Sequence, residues 1–284
     1  MLPSSSVTSA PLRIVRASPG LVWRALDADQ VVGAVTAFLR PDDRWFVHFD
    51  AASRADSYRP LLAAVAGNAV SDLYATVEES DDAALELFTR LGFTVSRREG
   101  NYLIPVDPQV TGLRATADPA GIVIISAADA YEDQLRLLDD VLRQDVPGTD
   151  GWKWDPGDFR EQTFSQDFDR ATYLIAVDAA SGDYLGLVRV WDSPGMPRLG
   201  LIAIVRQYRH RGLAKLLLAR AFGVLHERGK TEVTAEIDDA NTACRSLLLG
   251  LGARRHGGSV ELVTWLPGRT APGRSSGDGT KTPF

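Results

Sequence analysis

Strand-like apolar runs occupy residues 12–15, 22–26, 31–39 and 45–49, and further along 122–125, 173–177, 184–191 and 199–205. Helical spacing appears between them. Leu135, Leu138 and Leu142 form one apolar stripe, with Asp133, Arg136, Asp139, Asp140 and Arg143 off it. Residues 156–164 read as a second helix, because Asp155 stands before Pro156, a strong helix start. A third helix follows Gly212, with Leu213, Leu216, Leu217, Ala221, Val224 and Leu225 as its apolar positions. Val233, Ala235 and Ile237 alternate with period two, the mark of a strand with one buried face.

Two segments repeat this grammar. Residues 73–106 and 233–266 align without gaps at an offset of 160. Leu73 meets Val233, Val77 meets Ile237, Leu87 meets Leu247, Leu91 meets Leu251 and Gly92 meets Gly252. Each reads as strand, turn, helix, glycine and further strand, the glycine standing where a left-handed residue stops a helix. On the preceding helix, Leu61 meets Leu216 at an offset of 155. Two copies of one unit imply two domains of one fold. The boundary falls in the Pro- and Gly-containing stretch 106–122. The expected organisation is a shortened domain over 1–110, a linker over 111–120, a full domain over 121–267 and a disordered tail over 268–284.

Composition narrows the function. The 284 residues are 45% hydrophobic and 24% charged, ordinary for a globular protein, with a net charge of −6. That balance argues against nucleic-acid binding by bulk charge. One cysteine, Cys244, excludes a disulfide scaffold, and the four scattered histidines have no metal-ligand spacing. There is no leader-like start and no 18-residue apolar run, so the expectation is a cytoplasmic protein with no membrane partner and no metal.

The chemistry concentrates at 199–228. A strand, LGLIAIV, runs into the basic turn RQYRHRG and then a helix. Free N–H groups and the helix dipole make such a junction an anion site. Gly212 removes a side chain where a phosphate approaches, Ala214 keeps the next turn narrow, and Arg209, Arg211 and Lys215 add positive charge. The turn alone is equally compatible with an ordinary Arg-rich helix start.

The segment Arg209-His210-Arg211-Gly212-Leu213-Ala214 resembles the Q/R-x-x-G-x-G/A signature of the GNAT superfamily of acyl-CoA N-acyltransferases. Asn241, followed by an apolar helix and Leu251-Gly252, matches the family's later N-x-x-A…L-G-F element. The resemblance covers about 122–266 and extends through the repeat to the N-terminal copy. It implies an α/β (α+β) fold of two GNAT-like domains, each a mixed, mostly antiparallel sheet flanked by helices. It also implies acetyl-CoA as cosubstrate. The backbone at Ile202, Ala203 and Ile204 would pair with the pantetheine arm, the N–H groups of His210, Arg211, Gly212, Leu213, Ala214 and Lys215 would hold the pyrophosphate, and Asn241 would bond near the pantetheine.

The N-terminal copy has Ser57 in place of the glycine, Arg59 in place of Ala214, Asp56 where phosphate would sit and Asp81 at the Asn241 position. It reads as non-catalytic. In the C-terminal copy Leu248 stands where many family members carry a tyrosine acid, and the strand before the turn carries no carboxylate. Glu236 and Asp238, which share a strand face, are the candidate proton acceptors, with a solvated-strand role as the alternative. Residues 144–169 hold seven acids against two bases. With Asp150, Trp152 and Trp154 this segment suits a small cationic amine, by charge and cation–π attraction. The tryptophans as core anchors are the alternative, and for Asp155 the helix cap is preferred. The functional expectation is N-acetyl transfer to a small primary amine. A non-catalytic acyl-CoA-binding protein and a peptide or protein N-acetyltransferase are the rivals.

Overall fold

The computed structural model describes residues 11–17, 20–114, 118–149, 151–192 and 195–265. The tail expected to be disordered lies outside them. The described residues divide into two compact units, one within 11–75, 85–94 and 262–265, the other within 76–84 and 95–261.

The first unit holds β1 (Arg13–Ala17), β2 (Val22–Asp27), β3 (Gln30–Leu39), β4 (Trp45–Phe49), helix α1 (Tyr58–Ala66), the start of β5 (Leu73–Glu78) and most of α2 (Asp82–Arg90). Its strands run in the order β1-β2-β3-β4-β5. The first three pairings are antiparallel and β4–β5 is parallel. Leu61 and Val65 of α1 are fully buried, and Phe49 of β4 packs against Phe88 of α2 with ring centroids 5.7 Å apart.

The second unit contains β6 (Thr94–Pro105) from its second residue on, α3 (Pro108–Thr111), β7 (Ile122–Ser126), α4 (Glu132–Arg143), α5 (Pro156–Thr163), β8 (Tyr173–Asp178), β9 (Tyr184–Trp191), β10 (Arg198–Ile204), α6 (Leu213–Glu227), β11 (Glu232–Asp238), α7 (Thr242–Leu249) and most of β12 (Arg254–Thr264). The strand order is β12-β6-β11-β10-β9-β8-β7. Helix α6 buries Leu213, Leu217, Leu218, Phe222 and Leu225 against one face, where Val188, Val190, Val233, Ala235 and Ile237 point. Helices α4 and α5 cover the other, with Leu135, Leu138, Leu142 and Phe159 against Tyr173, Ile175, Leu187 and Leu201. Alternation along each strand divides its side chains between these two cores.

The punctuation read from the repeat holds in both halves. Gly92 (φ 92°) and Gly252 (φ 85°) are left-handed just past α2 and α7. Asp81 and Asn241 act alike at the other end of those helices, accepting from the N–H of Ala84 at 2.9 Å and of Cys244 at 3.1 Å. Asp155 caps α5 through the N–H of Gly157 at 2.7 Å.

One expectation fails. Asp139 and Arg143, placed off the apolar stripe of α4, are buried. Asp139 is 0% exposed and takes the guanidinium groups of Arg143 and Arg189, the latter at 3.2 Å. Pairing makes a charge tolerable on an inward face, which an apolar-stripe projection assigns to solvent.

Candidate active site

The site begins with a parting of strands. Among the described residues, the parallel ladder between β10 and β11 consists of Arg198↔Thr234. Past that point the strands separate, while β10 keeps pairing with β9 from Leu199↔Val190 to Ile204↔Gly186. A bulge falls between Leu199 and Leu201. Gly200 occupies it because a Cβ there would lie 2.2 Å from the Trp191 ring. By the alternation of the β9–β10 ladder, Ile202 and Ile204 turn their backbone polar groups to the β11 side, while Ala203 pairs with Leu187 of β9.

The turn after β10 leads into α6. Gly212 is its N-cap at φ 83°, a left-handed conformation suited to glycine, and no side chain caps the helix. A Cβ built on Gly212 would meet nothing within 4 Å. His210 is also left-handed, at φ 61°. The first N–H groups of α6 lack intrahelical acceptors and carry the positive end of the helix dipole. Arg211, Gly212 and Lys215 are exposed, Leu213 is buried and Ala214 is half-buried. The Arg211 guanidinium stands 4.9 Å from the Tyr208 ring centroid.

Arg209 is fastened on two sides. Its Nε donates to the carbonyl of Ile204 at 2.8 Å and its Nη2 to Asp145 at 2.6 Å. Arg206 donates to the same carboxylate, through Nε at 3.0 Å. Arg206 first, then Arg209, hold the Asp145 carboxyl below the usual carboxylate range.

Glu236 and Asp238 do share a face of β11, but their environments differ. Glu236 is exposed and accepts from Arg198 at 2.8 Å. Asp238 is buried, takes Arg97 at 3.2 Å and accepts from the N–H of Ala240 at 2.7 Å. Arg97 also binds Glu99 beside it and Glu261 of β12 at 3.0 Å. Three carboxylates thus gather on one guanidinium. Glu99 and Asp238 are direct partners across the β6–β11 ladder. The sequence reading missed Arg97, Glu99 and Glu261. The alternation Arg97, Glu99, Asn101 along β6 was the available signal.

Trp152 and Trp154 do not form an empty aromatic site. Both rings lie against Arg143, 5.0 and 5.5 Å from its guanidinium, and they meet each other edge-on at 5.6 Å. Trp154 Nε1 donates to Asp139 at 2.6 Å. A cation of the protein itself, Arg143, thus already lies against both rings. Asp150 lies outside the described residues. Cys244 has its thiol pushed up to about 11 by burial, and Leu248 is fully buried in the core under α7.

In the N-terminal copy the corresponding turn is filled. Arg54 donates to Asp56 at 2.7 Å and to Asp27 at 2.8 Å. Ser57 is buried, with its Oγ donating to the Arg54 carbonyl at 2.6 Å. A Cβ on Gly33 would lie 2.3 Å from that Oγ, so the glycine makes room for the serine. The strands still part: β4 and β5 pair at Trp45↔Leu73 and Phe46↔Tyr74.

Residues 136–252 match the family model described as Acetyltransferase (GNAT) family. A mycothiol acetyltransferase of Salinispora arenicola is 34% identical over 109 residues, which cover 36% of this chain and 35% of that protein. The chain therefore spans about a third of that relative. Among solved structures, a GCN5-related N-acetyltransferase from Sphaerobacter thermophilus superposes with a TM-score of 0.62 at 19% identity, over 86% of this chain and 80% of that one. A tandem GNAT protein from the clavulanic acid biosynthesis pathway does so with 0.63 at 19%, over 88% and 83%. At such identities the likeness is one of fold, and the expected α/β architecture of two GNAT-like halves stands. Among the described residues no helix is long and apolar enough to cross a membrane.

Proposed function

We propose, from the match of residues 136–252 to the acetyltransferase (GNAT) family model, that this chain carries out acetyl-CoA-dependent N-acetylation of a small primary amine in its C-terminal half, assigned to 121–267. The observation that carries the reading is the junction itself: β10 parts from β11 after Arg198↔Thr234 and runs into a helix opened by a left-handed, uncapped glycine.

Acetyl-CoA would supply the activated acyl group. The β10 edge at Ile202, Ala203 and Ile204, whose last carbonyl also takes Arg209, would receive the amides of its pantetheine arm. The N–H groups of His210–Lys215 would receive its pyrophosphate. Asn241 spends its oxygen on capping α7 and would offer its amide –NH₂. Glu236 and Asp238 line the β11 side on the face covered by α4 and α5, and one of them would take the amine proton, directly or through water. Positioning and polarisation suffice, with no covalent enzyme intermediate.

Arg97 with its three carboxylates makes that wall net negative, which favours a cationic acceptor. Trp152 and Trp154 would contribute shape rather than a cation–π site. The name of the Salinispora relative puts mycothiol chemistry first on the acceptor panel. The setting we propose is cytoplasmic.

Titration calorimetry with acetyl-CoA, followed by an amine panel, tests the reading. Binding with transfer supports it; no binding removes it. A second reading, a non-catalytic acyl-CoA-binding protein, draws on Leu248 and the carboxylate-free β10. Binding with no transfer to any amine would select it.

A further inference from the structure

The carboxylate of Asp145 joins two parts of the second unit that the proposed reaction uses separately. It lies two residues past α4, at the start of the acceptor-side segment, and holds Arg206 and Arg209 from the cofactor-side turn. Its side chain is 18% exposed, against 78% for Arg206 and 37% for Arg209. Arg209 is also fastened to Ile204, the last residue of β10. Three residues beyond Asp145, Gly148 packs so closely on Arg97 that a Cβ there would lie 2.2 Å from Nη1. Arg97 in turn holds Asp238. A continuous set of contacts therefore runs from the pyrophosphate turn, through Asp145 and the 144–149 segment, to the carboxylates of the acceptor wall.

We propose that Asp145 is a positioning residue that couples cosubstrate binding to placement of the acceptor-side segment. The inference rests on the acetyl-CoA reading above. A pyrophosphate at the start of α6 brings negative charge next to Arg206 and Arg209, and it competes with Asp145 for their N–H donors. A carboxylate that loses those donors loosens its grip, and the segment it anchors is released. Such coupling is a differential contact made in one state and weakened in the other, which is what linkage between two sites requires.

The test needs no acceptor. Amide hydrogen exchange of residues 144–149 is followed with and without coenzyme A, and coenzyme A affinity is measured in parallel by calorimetry. In the unsubstituted protein, coenzyme A is expected to speed exchange in 144–149 severalfold. In Asp145→Asn the segment exchanges fast from the start and does not respond, while coenzyme A still binds, about threefold or more tighter. Asp145→Glu restores the response. Arg206→Gln, at an exposed position that leaves the fold intact, shows half the response if Asp145→Asn fails to fold. Unchanged or slowed exchange in the unsubstituted protein, or a full response in Asp145→Asn, overturns the coupling while leaving the transferase reading standing. Absence of coenzyme A binding overturns both.

Discussion

Trp154 donates its indole N–H to Asp139 at 2.6 Å, across 15 residues of chain that include the end of α4 and the loop after it. The same carboxylate holds Arg143 and Arg189, so Asp139 ties that loop to α4 and to the middle of β9. Burial pushes its carboxyl up, and the Arg189 and Arg143 charges outweigh that and bring it below the ordinary value.

Asp139→Ala removes the anion between two buried guanidinium groups. Breaking a buried pair on one side typically costs about 3–5 kcal/mol. Chemical denaturation is expected to show a loss of that size. A loss below about 1 kcal/mol would mean that solvent already compensates the arginines.

The same shift sets a pH dependence. A carboxyl lowered on folding adds stability above its unfolded value, roughly 3.9, and loses it as the pH falls through that value towards the folded one. The unsubstituted protein is therefore expected to lose stability below about pH 4, beyond what Asp139→Asn loses. Parallel stability curves for the two proteins would refute this.

The repeat, the strand and helix order, the two left-handed glycines and the start of α5 were legible because each is a local rule: a period, a cap, a stop. The charged walls were not. Arg97 belongs to the first copy of the repeat, yet β6 pairs with β11 in the second unit, and Glu261 comes from 164 residues later. Asp139 finds Arg189 50 residues away. Long-range pairing decides whether a charge faces water or protein, and neither period nor spacing encodes it. The partner of the tryptophans was hidden for a related reason, since Arg143 sits on the preceding helix, off its apolar stripe.

Gly200 is expected to be intolerant of a side chain. A methyl group there would meet the Trp191 ring at 2.2 Å, and the bulge that helps part β10 from β11 would have to shift. Overpacking of this kind costs about 1–3 kcal/mol. Gly200→Ala should lower the melting temperature and weaken acetyl-CoA binding together. Full binding by a destabilised variant would show that the bulge does not shape the opening.

Glu236 and Asp238 can be separated kinetically. Loss of a general base typically slows a reaction by about 10²–10⁴-fold. If Glu236 takes the amine proton, Glu236→Gln should slow transfer on that scale and alter the pH profile, with acetyl-CoA affinity unchanged. Asp238→Asn should instead disturb the Arg97 cluster and the N–H bond from Ala240, and so raise the acceptor KM. An unchanged profile in Glu236→Gln would remove it as the base.

The number of coenzyme sites per chain follows from the two turns. In the C-terminal copy Gly212 leaves open space above an uncapped helix. In the N-terminal copy the Arg54 guanidinium is held by Asp56 and Asp27, and Ser57 is buried against Gly33. A phosphate there would have to displace two carboxylates from one arginine, at a place where Asp56 already supplies negative charge. Calorimetry is therefore expected to give one acetyl-CoA per chain. Gly212→Asp should abolish that binding, because it puts a charged side chain into the place proposed for the phosphate and forces a non-glycine residue to φ 83°, at a strain of roughly 1–2 kcal/mol. Asp56→Gly with Ser57→Gly should not create a second site, since Arg59 still stands in place of Ala214 and its guanidinium bonds the Arg90 carbonyl at 2.8 Å. Two sites in the unsubstituted chain would show that the N-terminal opening between β4 and β5 holds coenzyme by contacts other than a helix start.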